Sequence, residues 1–431
     1  MNESDSERIT SVLEKVGYRA ASKESEADLI VLNMCSVRQS AVDRIYGRIK
    51  NFAKLKVRNP ELKTILTGCI LKSDLKKFEN HFDYILPIKT LPFWQNLLKK
   101  EKFFYYPDSR SPEFCQKFDS NYLKIKPVCS NFSALIPIST GCNNFCSFCV
   151  VPYVRGPEIC RPANEILDEV KNLIKRGFKE IWLLGQNVNS YKSELMAKEQ
   201  NTDFVRLLKM INEIPGDFWI RFTSSHPKDF SDSLVETIAK CKKVTPYINL
   251  PVQSGDNIIL KKMNRSYTAE KYKKLVKKTR DSFNKNREGL EKEVAISTDV
   301  IVGFPGETKK QFENTVKLFK EMKFDMAYIA EYSPRPQTTA FKLKDDVPKE
   351  EKERRKKILT EILKETALEN NKKYVGKTVD VLTEENKNEF LFGKTRTYKT
   401  VKFKGPSALI GKFVKVKIIN ALPWGLKGKI L

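Results

Sequence analysis

Histidine is nearly missing: His81 and His226 are the two in 431 residues. Mixed Cys/His zinc sites and imidazole acid–base chemistry therefore have little material to draw on. Long hydrophobic runs are missing too, since no uninterrupted apolar stretch approaches the ~18 residues that argue a helical membrane span. The opening Met1-Asn2-Glu3-Ser4-Asp5 is acidic and polar, unlike a secretory signal. These absences point to a cytoplasmic protein with no membrane partner. In that compartment thiols stay reduced, so the nine cysteines are not expected to pair as disulfides.

Positive charge is abundant. Lys and Arg number 79 against 53 Asp and Glu, a net charge of +26. Such an excess favours an anionic partner, nucleic acid being the commonest, although a lysine-rich solvated surface produces the same number. At about 150 residues per domain, the length predicts roughly three domains.

Residues 1–130 read as alternating helix and strand. Ile9, Val12, Leu13 and Val16 fall at helical spacing, while Leu29 to Met34 and Thr64 to Leu66 are short apolar runs suited to buried strands. Each run stops just before a cysteine, Cys35 and Cys69 respectively. In a doubly wound parallel sheet, ligands gather at the carboxyl ends of the strands, so these thiols can converge on one site or be two unrelated core residues.

Residues 131–370 repeat a strand–helix unit. The expected strands are Ala134–Ile138, Glu180–Leu184, Phe218–Phe222, Tyr247–Leu250, Val294–Val302 and Asp325–Tyr332, with Lys349 to Lys373 as a final charged helix. Six such units predict an α/β fold, a partial (β/α)6 barrel whose chemistry sits at the strand carboxyl ends. Residues 371–431 change character. Val379–Val381, Lys399–Phe403 and Phe413–Ile419 predict a small all-β barrel, and from Tyr374 onward the segment has 12 Lys/Arg against 4 Asp/Glu. A small basic barrel suits nucleic acid, or is simply solvated.

The sharpest pattern is Gly141-Cys142-Asn143-Asn144-Phe145-Cys146-Ser147-Phe148-Cys149, just after the first expected barrel strand. Three thiolates at C-x-x-x-C-x-x-C spacing can hold three irons of a 4Fe-4S cube and leave the fourth open to a ligand. Structural zinc would need a closed shell of four, completed by Cys160 or a distant cysteine.

This loop, with an aromatic residue before its last cysteine, resembles the radical S-adenosylmethionine (SAM) superfamily. The resemblance extends along the chain to the methylthiotransferase family. It is carried by Asn33-Met34-Cys35-Ser36-Val37-Arg38, Thr67-Gly68-Cys69, Val151-Pro152-Tyr153-Val154-Arg155-Gly156, Leu250-Pro251-Val252-Gln253-Ser254-Gly255 and Gly303-Phe304-Pro305-Gly306-Glu307. Gly185-Gln186-Asn187-Val188-Asn189-Ser190-Tyr191 and Ser225-His226-Pro227-Lys228 are most similar to the MiaB type, and the last segment resembles a TRAM domain.

The resemblance implies a SAM cluster on Cys142, Cys146 and Cys149, with Phe148 packed nearby. It implies that a SAM-derived 5′-deoxyadenosyl radical methylthiolates C2 of N6-isopentenyladenosine next to the anticodon of tRNA. An electron donor, whose identity the residues do not give, is a further partner, and the chain is expected as a monomer. Gly185, Gln186 and Asn187 are expected to touch SAM or substrate, or to form an ordinary polar turn. Arg155, Lys394, Arg396 and Lys399 are the expected RNA contacts, Arg155 being alternatively one half of a surface ion pair. Gly303 to Glu307 reads as a tight strand–helix turn before a direct contact.

A second 4Fe-4S cluster supplies sulfur in the family and is held by three cysteines. Cys35 and Cys69 match two of them. The third, in a Cys-x-Met-Asn motif, would precede Met1-Asn2, so about a dozen upstream residues carrying a first strand are expected beyond this sequence. Cys115 and Cys129 are weak substitutes. Cys160 stands where relatives tend to have Ser, and Gln337 where Gly follows Arg-Pro; Cys160 and Cys241 read as small core residues. The alternatives are a sibling acting on threonylcarbamoyladenosine in tRNA or on a ribosomal protein, and a tRNA-binding relative without thiolation activity.

Overall fold

The computed structural model describes residues 1–36, 39–98, 103–104, 120–125, 127, 132–193 and 201–431. The chain divides into two compact units. The first comprises Met1–Cys129, Ser139–Arg161 and Ser333–Lys342, and the second Ser130–Ile138, Pro162–Tyr332 and Leu343–Leu431. No helix among the described residues is long and apolar enough to cross a membrane.

In the first unit, α1 (Asn2–Lys15) precedes β1 (Leu29–Cys35), α2 (Gln39–Arg58), β2 (Lys63–Cys69), α3 (Lys72–Phe78), β3 (Tyr84–Ile85) and β4 (Phe103–Phe104). The four strands form one parallel sheet in that order. Period-two alternation sorts its residues onto two faces. Ile30, Met34 and Leu66 pack with Val42, Phe52 and Phe78 of α2 and α3. Ile65 and Tyr84 pack on the other side with Ile9 of α1, Trp94 and Tyr122. Helical segments thus cover both faces, as a doubly wound sheet requires. β1 has β2 as its one partner strand among the described residues.

The second unit carries β5 (Ser133–Pro137), α4 (Ala163–Lys175), β6 (Glu180–Leu184), α5 (Phe204–Asn212), β7 (Trp219–Phe222), α6 (Asp232–Lys240) and β8 (Tyr247–Asn249). It continues through α7 (Ala269–Asn286), β9 (Ala295–Val302), α8 (Lys309–Met322), β10 (Met326–Glu331) and α9 (Lys349–Lys372). Neighbouring strands pair in parallel in chain order, with an Ile220–Val244 bridge joining β7 to the run into β8. The helices between them are amphipathic: Ala163, Ile166, Val170 and Leu173 of α4 recur at helical spacing and are all buried. Side-chain caps at Asp203, Ser231 and Thr268 and a Thr308–Gln311 capping box fix where α5 to α8 start.

After α9 the chain closes a five-stranded barrel from β11 (Thr378–Lys387), β12 (Phe390–Thr395), β13 (Thr400–Lys404), β14 (Phe413–Leu422) and β15 (Gly425–Ile430). Val381, Leu391, Val401, Phe403, Val416 and Leu426 fill it. It belongs to the same unit as the β/α repeats, anchored by Arg221 of β7. That guanidinium donates to the carbonyls of Thr395 and Arg396, each at 2.8 Å, pairs with Glu180 at 2.5 Å, and lies against the rings of Trp182, Trp219 and Tyr398.

Candidate active site

The cysteine loop leaves β5 and turns back on itself. Ser139–Thr140 pairs antiparallel with Ile159–Cys160, and the Cys142 amide donates to the Gly156 carbonyl at 3.1 Å. Gly141 sits at φ +79°, and a Cβ there would lie 1.9 Å from the Pro157 carbonyl oxygen, so no side chain fits. Inside the loop the Asn144 amide points at the Cys142 sulfur at 3.4 Å, and the Cys149 amide donates to the Cys146 carbonyl at 2.9 Å. Ala340 donates to the Ser147 carbonyl at 2.7 Å, which ties the 333–342 stretch to the loop. Cys142 is buried, Cys146, Cys149 and Phe148 are half-buried, and Phe145 is exposed with its ring edge-on to Tyr153. Burial pushes the Cys142 thiol up from its ordinary value, with the Asn144 amide opposing. None of the seven described cysteines is in a disulfide.

The same unit brings Cys35 and Cys69 into direct register at the carboxyl ends of β1 and β2. Gly68 permits the approach: at φ +102°, a Cβ would lie 2.3 Å from the Met34 carbonyl oxygen. Arg155 reaches this pair from the far end of the cysteine loop. Its Nε donates to the Cys69 sulfur at 3.0 Å, and its Nη2 donates to Asp5 at 2.5 Å and to the Asn2 side-chain oxygen at 3.1 Å. The Tyr122 hydroxyl bonds the other oxygen of Asp5. Burial raises the Cys69 thiol, with Arg155 opposing. Arg155 is only 2% exposed, so its expected role as a phosphate contact does not match its placement: the cation faces a carboxylate and a thiol inside the unit.

In the second unit, Gly185, Gln186 and Asn187 follow β6. The Gln186 Oε1 and Asn187 Oδ1 atoms are buried without a hydrogen-bond partner among the described residues, while the Asn187 amide donates to Asp229 at 2.7 Å. Adjacent strand ends add polar groups, of which Asn249 and Asp299 lie outside the sequence motifs and Ser225 within one. Asn249 donates to Asp299 at 3.2 Å and accepts from the Ser224 amide at 3.1 Å, and the buried Ser225 hydroxyl lacks a partner among the described residues. Left-handed backbone at Ser224 (φ 64°) and Gln253 (φ 68°) marks the same rim. His226 is held neutral, its pKa drawn down to about 2 by burial and then by Arg265 and Lys228; its Nδ1 accepts the Lys228 amide. Gly303 to Glu307 is a tight turn, in which Glu307 accepts the Gly303 amide at 2.6 Å and pairs with Arg355 at 2.8 Å.

The expected RNA contacts on the small barrel are occupied internally. Lys399 is buried against Asp325 at 2.7 Å, Arg396 pairs with Glu291 at 2.7 Å, and Lys394 donates to Thr400 over the Tyr398 ring. Arg396 and Lys399 thus help seat the small barrel on the β/α repeats, while Lys394 is bonded within the barrel. Cys160 lies half-buried in the strand opposite Ser139, and Cys241 is buried at the end of α6. Cys115 and Cys129 lie outside the described residues.

Residues 136–319 match the model of the radical SAM superfamily, residues 1–86 that of the uncharacterized protein family UPF0004, and residues 372–431 the TRAM domain. The chain is 42% identical over 439 residues to a tRNA-2-methylthio-N(6)-dimethylallyladenosine synthase of Clostridium botulinum (strain Langeland), covering 100% of this chain and 94% of that one. The chain belongs to the tRNA-2-methylthio-N(6)-dimethylallyladenosine synthase family. A synthase of the same name from Acetivibrio thermocellus is 38% identical over 443 residues, covering 100% of this chain and 89% of the relative. Among solved structures, the radical SAM methyltransferase TsrM of Kitasatospora setae, with cobalamin and a 4Fe-4S cluster bound, aligns with a TM-score of 0.54. The alignment covers 78% of this chain and 70% of that one at 14% identity, a likeness of fold alone.

As a member of this family, the chain is a radical SAM enzyme that works with an iron–sulfur cluster and SAM. Its loop fits such a cluster: three soft sulfur donors share one clamped turn, and a backbone N–H already addresses the first sulfur. Among the described residues no three His, Cys, Asp or Glu side chains close into a metal cage, so the three thiols share the loop without meeting as ligands of a single ion.

Proposed function

We propose that this enzyme methylthiolates C2 of N6-isopentenyladenosine next to the anticodon of tRNA. The observation that carries the reading is that one compact unit contains both the Cys142–Cys146–Cys149 loop and the register-paired thiols Cys35 and Cys69. Two sulfur sets suit a reaction that must both activate a C–H bond and deliver sulfur. Adenine C2–H offers no acidic proton, so a positioned base has nothing to remove and a carbon radical is required. When bound by Cys142, Cys146 and Cys149, a 4Fe-4S cluster supplies the electron that cleaves SAM to a hydrogen-abstracting 5′-deoxyadenosyl radical. In this reading Cys35 and Cys69 are ligands of a second 4Fe-4S cluster that is the sulfur source.

The remaining roles fall to this chain's own polar groups. The open acceptors of Gln186 and Asn187 suit the ammonium or hydroxyl donors of SAM. Neutral His226 serves as a backbone brace, its Nδ1 accepting the Lys228 amide. For the tRNA, the small barrel offers Lys402 and Lys404 over the Phe390 ring, the nearer at 3.9 Å, a pairing of cation and aromatic face that suits backbone and base together. The enzyme acts as a monomer in the cytoplasm, with a separate electron donor.

The test is nucleoside mass spectrometry of tRNA from a strain lacking the gene. Expression of the intact gene is expected to convert N6-isopentenyladenosine to its 2-methylthio form. Persistent isopentenyladenosine would reject the reading; a change confined to threonylcarbamoyladenosine, or to a ribosomal-protein aspartate, would reassign the enzyme to a sibling activity.

A further inference from the structure

The first unit buries four arginines, Arg8, Arg155, Arg161 and Arg335, and the charges of Arg155 and Arg335 act on the strand-end thiols. Arg155 lies against Cys69, and one of its donors, Nη1, has no partner among the described residues. Arg335, in the 333–342 stretch, is 4% exposed and donates to Gln39 at 2.8 Å. Its Nε and Nη2 are likewise without a partner among the described residues. Cys35 lies within electrostatic reach of Arg335, as do Asp74 of α3 and Asp43 of α2. A buried charged donor left unpaired costs more than the about 1–3 kcal/mol of a neutral one, so a fold that retains three such N–H groups beside two thiols is suited to an anion there.

We propose that Arg155 and Arg335 are positioning residues of the Cys35–Cys69 site, placed to neutralise an anionic iron–sulfur group and to donate to its sulfurs. Asp5 is the counterweight: it holds Arg155 in place through Nη2 while drawing on the same positive charge. Arg155 also follows directly from the loop that carries the other thiols, because its neighbour Gly156 accepts the Cys142 amide. One residue therefore ties the strand-end pair to the cysteine loop. The inference rests on the reading of Cys35 and Cys69 as cluster ligands.

Hydrogen bonds to cluster sulfurs and nearby cations favour the more negative, reduced state and raise its potential. The experiment uses the full chain with Cys142, Cys146 and Cys149 all changed to Ala, reconstituted anaerobically with iron and sulfide, so that the N-terminal site is read alone. Iron per chain and the midpoint potential, followed by electron paramagnetic resonance, are the readouts. Arg155→Gln and Arg335→Gln are each expected to lower the potential, changing the oxidised-to-reduced ratio by about tenfold, or about 59 mV for a one-electron couple. Asp5→Asn is expected to raise it. Arg155→Gln leaves Asp5 buried without its cation, so Asp5→Asn/Arg155→Gln, which buries no lone charge, carries the measurement if the single variant fails to fold; it too is expected to lower the potential. Shifts of opposite sign at Arg155 and Asp5 are not what loosened packing would give. Iron retained with unchanged potentials, or with shifts of one sign at both residues, overturns the inference alone. A parent that binds no iron overturns the second-cluster reading and the inference with it.

Discussion

The backbone of Gly141 passes the Pro157 carbonyl so closely that the loop of three thiols can close only around a residue without a side chain. Gly141→Ala must open that clamp or break the Cys142 amide bond to Gly156 at 3.1 Å. The variant is expected to fold with its sheet and barrels intact, yet to hold less than half of the iron that the parent takes up in the loop. SAM cleavage to 5′-deoxyadenosine should fall in proportion. Iron analysis with Cys35 and Cys69 changed to Ala isolates the loop, and a full complement of iron there would show that the clamp is dispensable.

The two sulfur sets are expected to separate cleanly by reaction. Changing any one of Cys142, Cys146 or Cys149 to Ala removes one of the three proposed cluster ligands, and reductive cleavage of SAM should disappear. Changing Cys35 or Cys69 should leave 5′-deoxyadenosine formation in place and stop only methylthiolation. The paired assay is chromatography of 5′-deoxyadenosine beside nucleoside analysis of the tRNA. Loss of both products in the Cys69 variant alone would instead implicate its bond to Arg155 in holding the loop.

How far these sites are legible in the sequence depends on how local their causes are. All six β/α strands are legible, within one or two residues, because each is a short apolar run bounded by turns; Glu180–Leu184 coincides with the expected span. The convergence of Cys35 and Cys69 is legible for the same reason, since both end adjacent parallel strands. The strands Phe390–Thr395 and Gly425–Ile430 are not, because Lys and Gly interrupt their apolar pattern and barrel closure supplies what local preference lacks. The placement of Arg155 is hidden because its partner Asp5 lies 150 residues away. Arg396 and Lys399 are hidden likewise, their acids Glu291 and Asp325 coming from the β/α repeats. A cation's motif says nothing of the acid that folding brings to it.

The internal pairing of Arg396 and Lys399 moves the expected RNA face to Lys402, Lys404, Phe390 and Phe392. Changing both lysines to Ala is expected to weaken tRNA binding and to reduce the slope of log affinity against log salt by about 1 to 2, one for each phosphate that is no longer neutralised. Thermal stability should stay near the parent's, since neither lysine forms an ion pair within the described residues that holds the barrel. Fluorescence anisotropy at several salt concentrations gives the slope. An unchanged slope would place the RNA-binding surface elsewhere.

Arg221 anchors the small barrel on the β/α repeats through the Thr395 and Arg396 carbonyls. Arg221→Ala removes two hydrogen bonds to the Thr395 and Arg396 carbonyls and leaves Glu180 buried without its cation. Breaking a buried pair in this way costs about 3–5 kcal/mol. The β/α repeats and the small barrel each keep their own core, so the loss should appear first between them. Limited proteolysis is expected to cut near residues 373–377 in the variant well before the parent, releasing a fragment of about the size of the small barrel. Parent-like resistance would show that the aromatic contacts of Trp182, Trp219 and Tyr398 suffice.

Glu384 of β11 gives a pH dependence with a definite sign. Burial raises its carboxyl from the usual 4.5 to about 7, Glu180 and Glu385 adding to the shift while Lys394 and Arg221 oppose it. Between those two values the folded chain holds a proton that the unfolded chain has released. Stability from this group therefore falls as pH rises from about 4.5 through 7, the reverse of a carboxylate paired with a cation. Glu384→Gln carries no such proton and should lose the dependence. Discounting for partial exposure, the variant is expected to gain about 1–2 kcal/mol over the parent above pH 7.5, with little difference near pH 4.5. Urea unfolding at pH 5 and pH 8 measures the gap. A gap that is the same at both values, or larger at pH 5, would mean that Glu384 is ionised throughout and that Lys394 compensates for its burial.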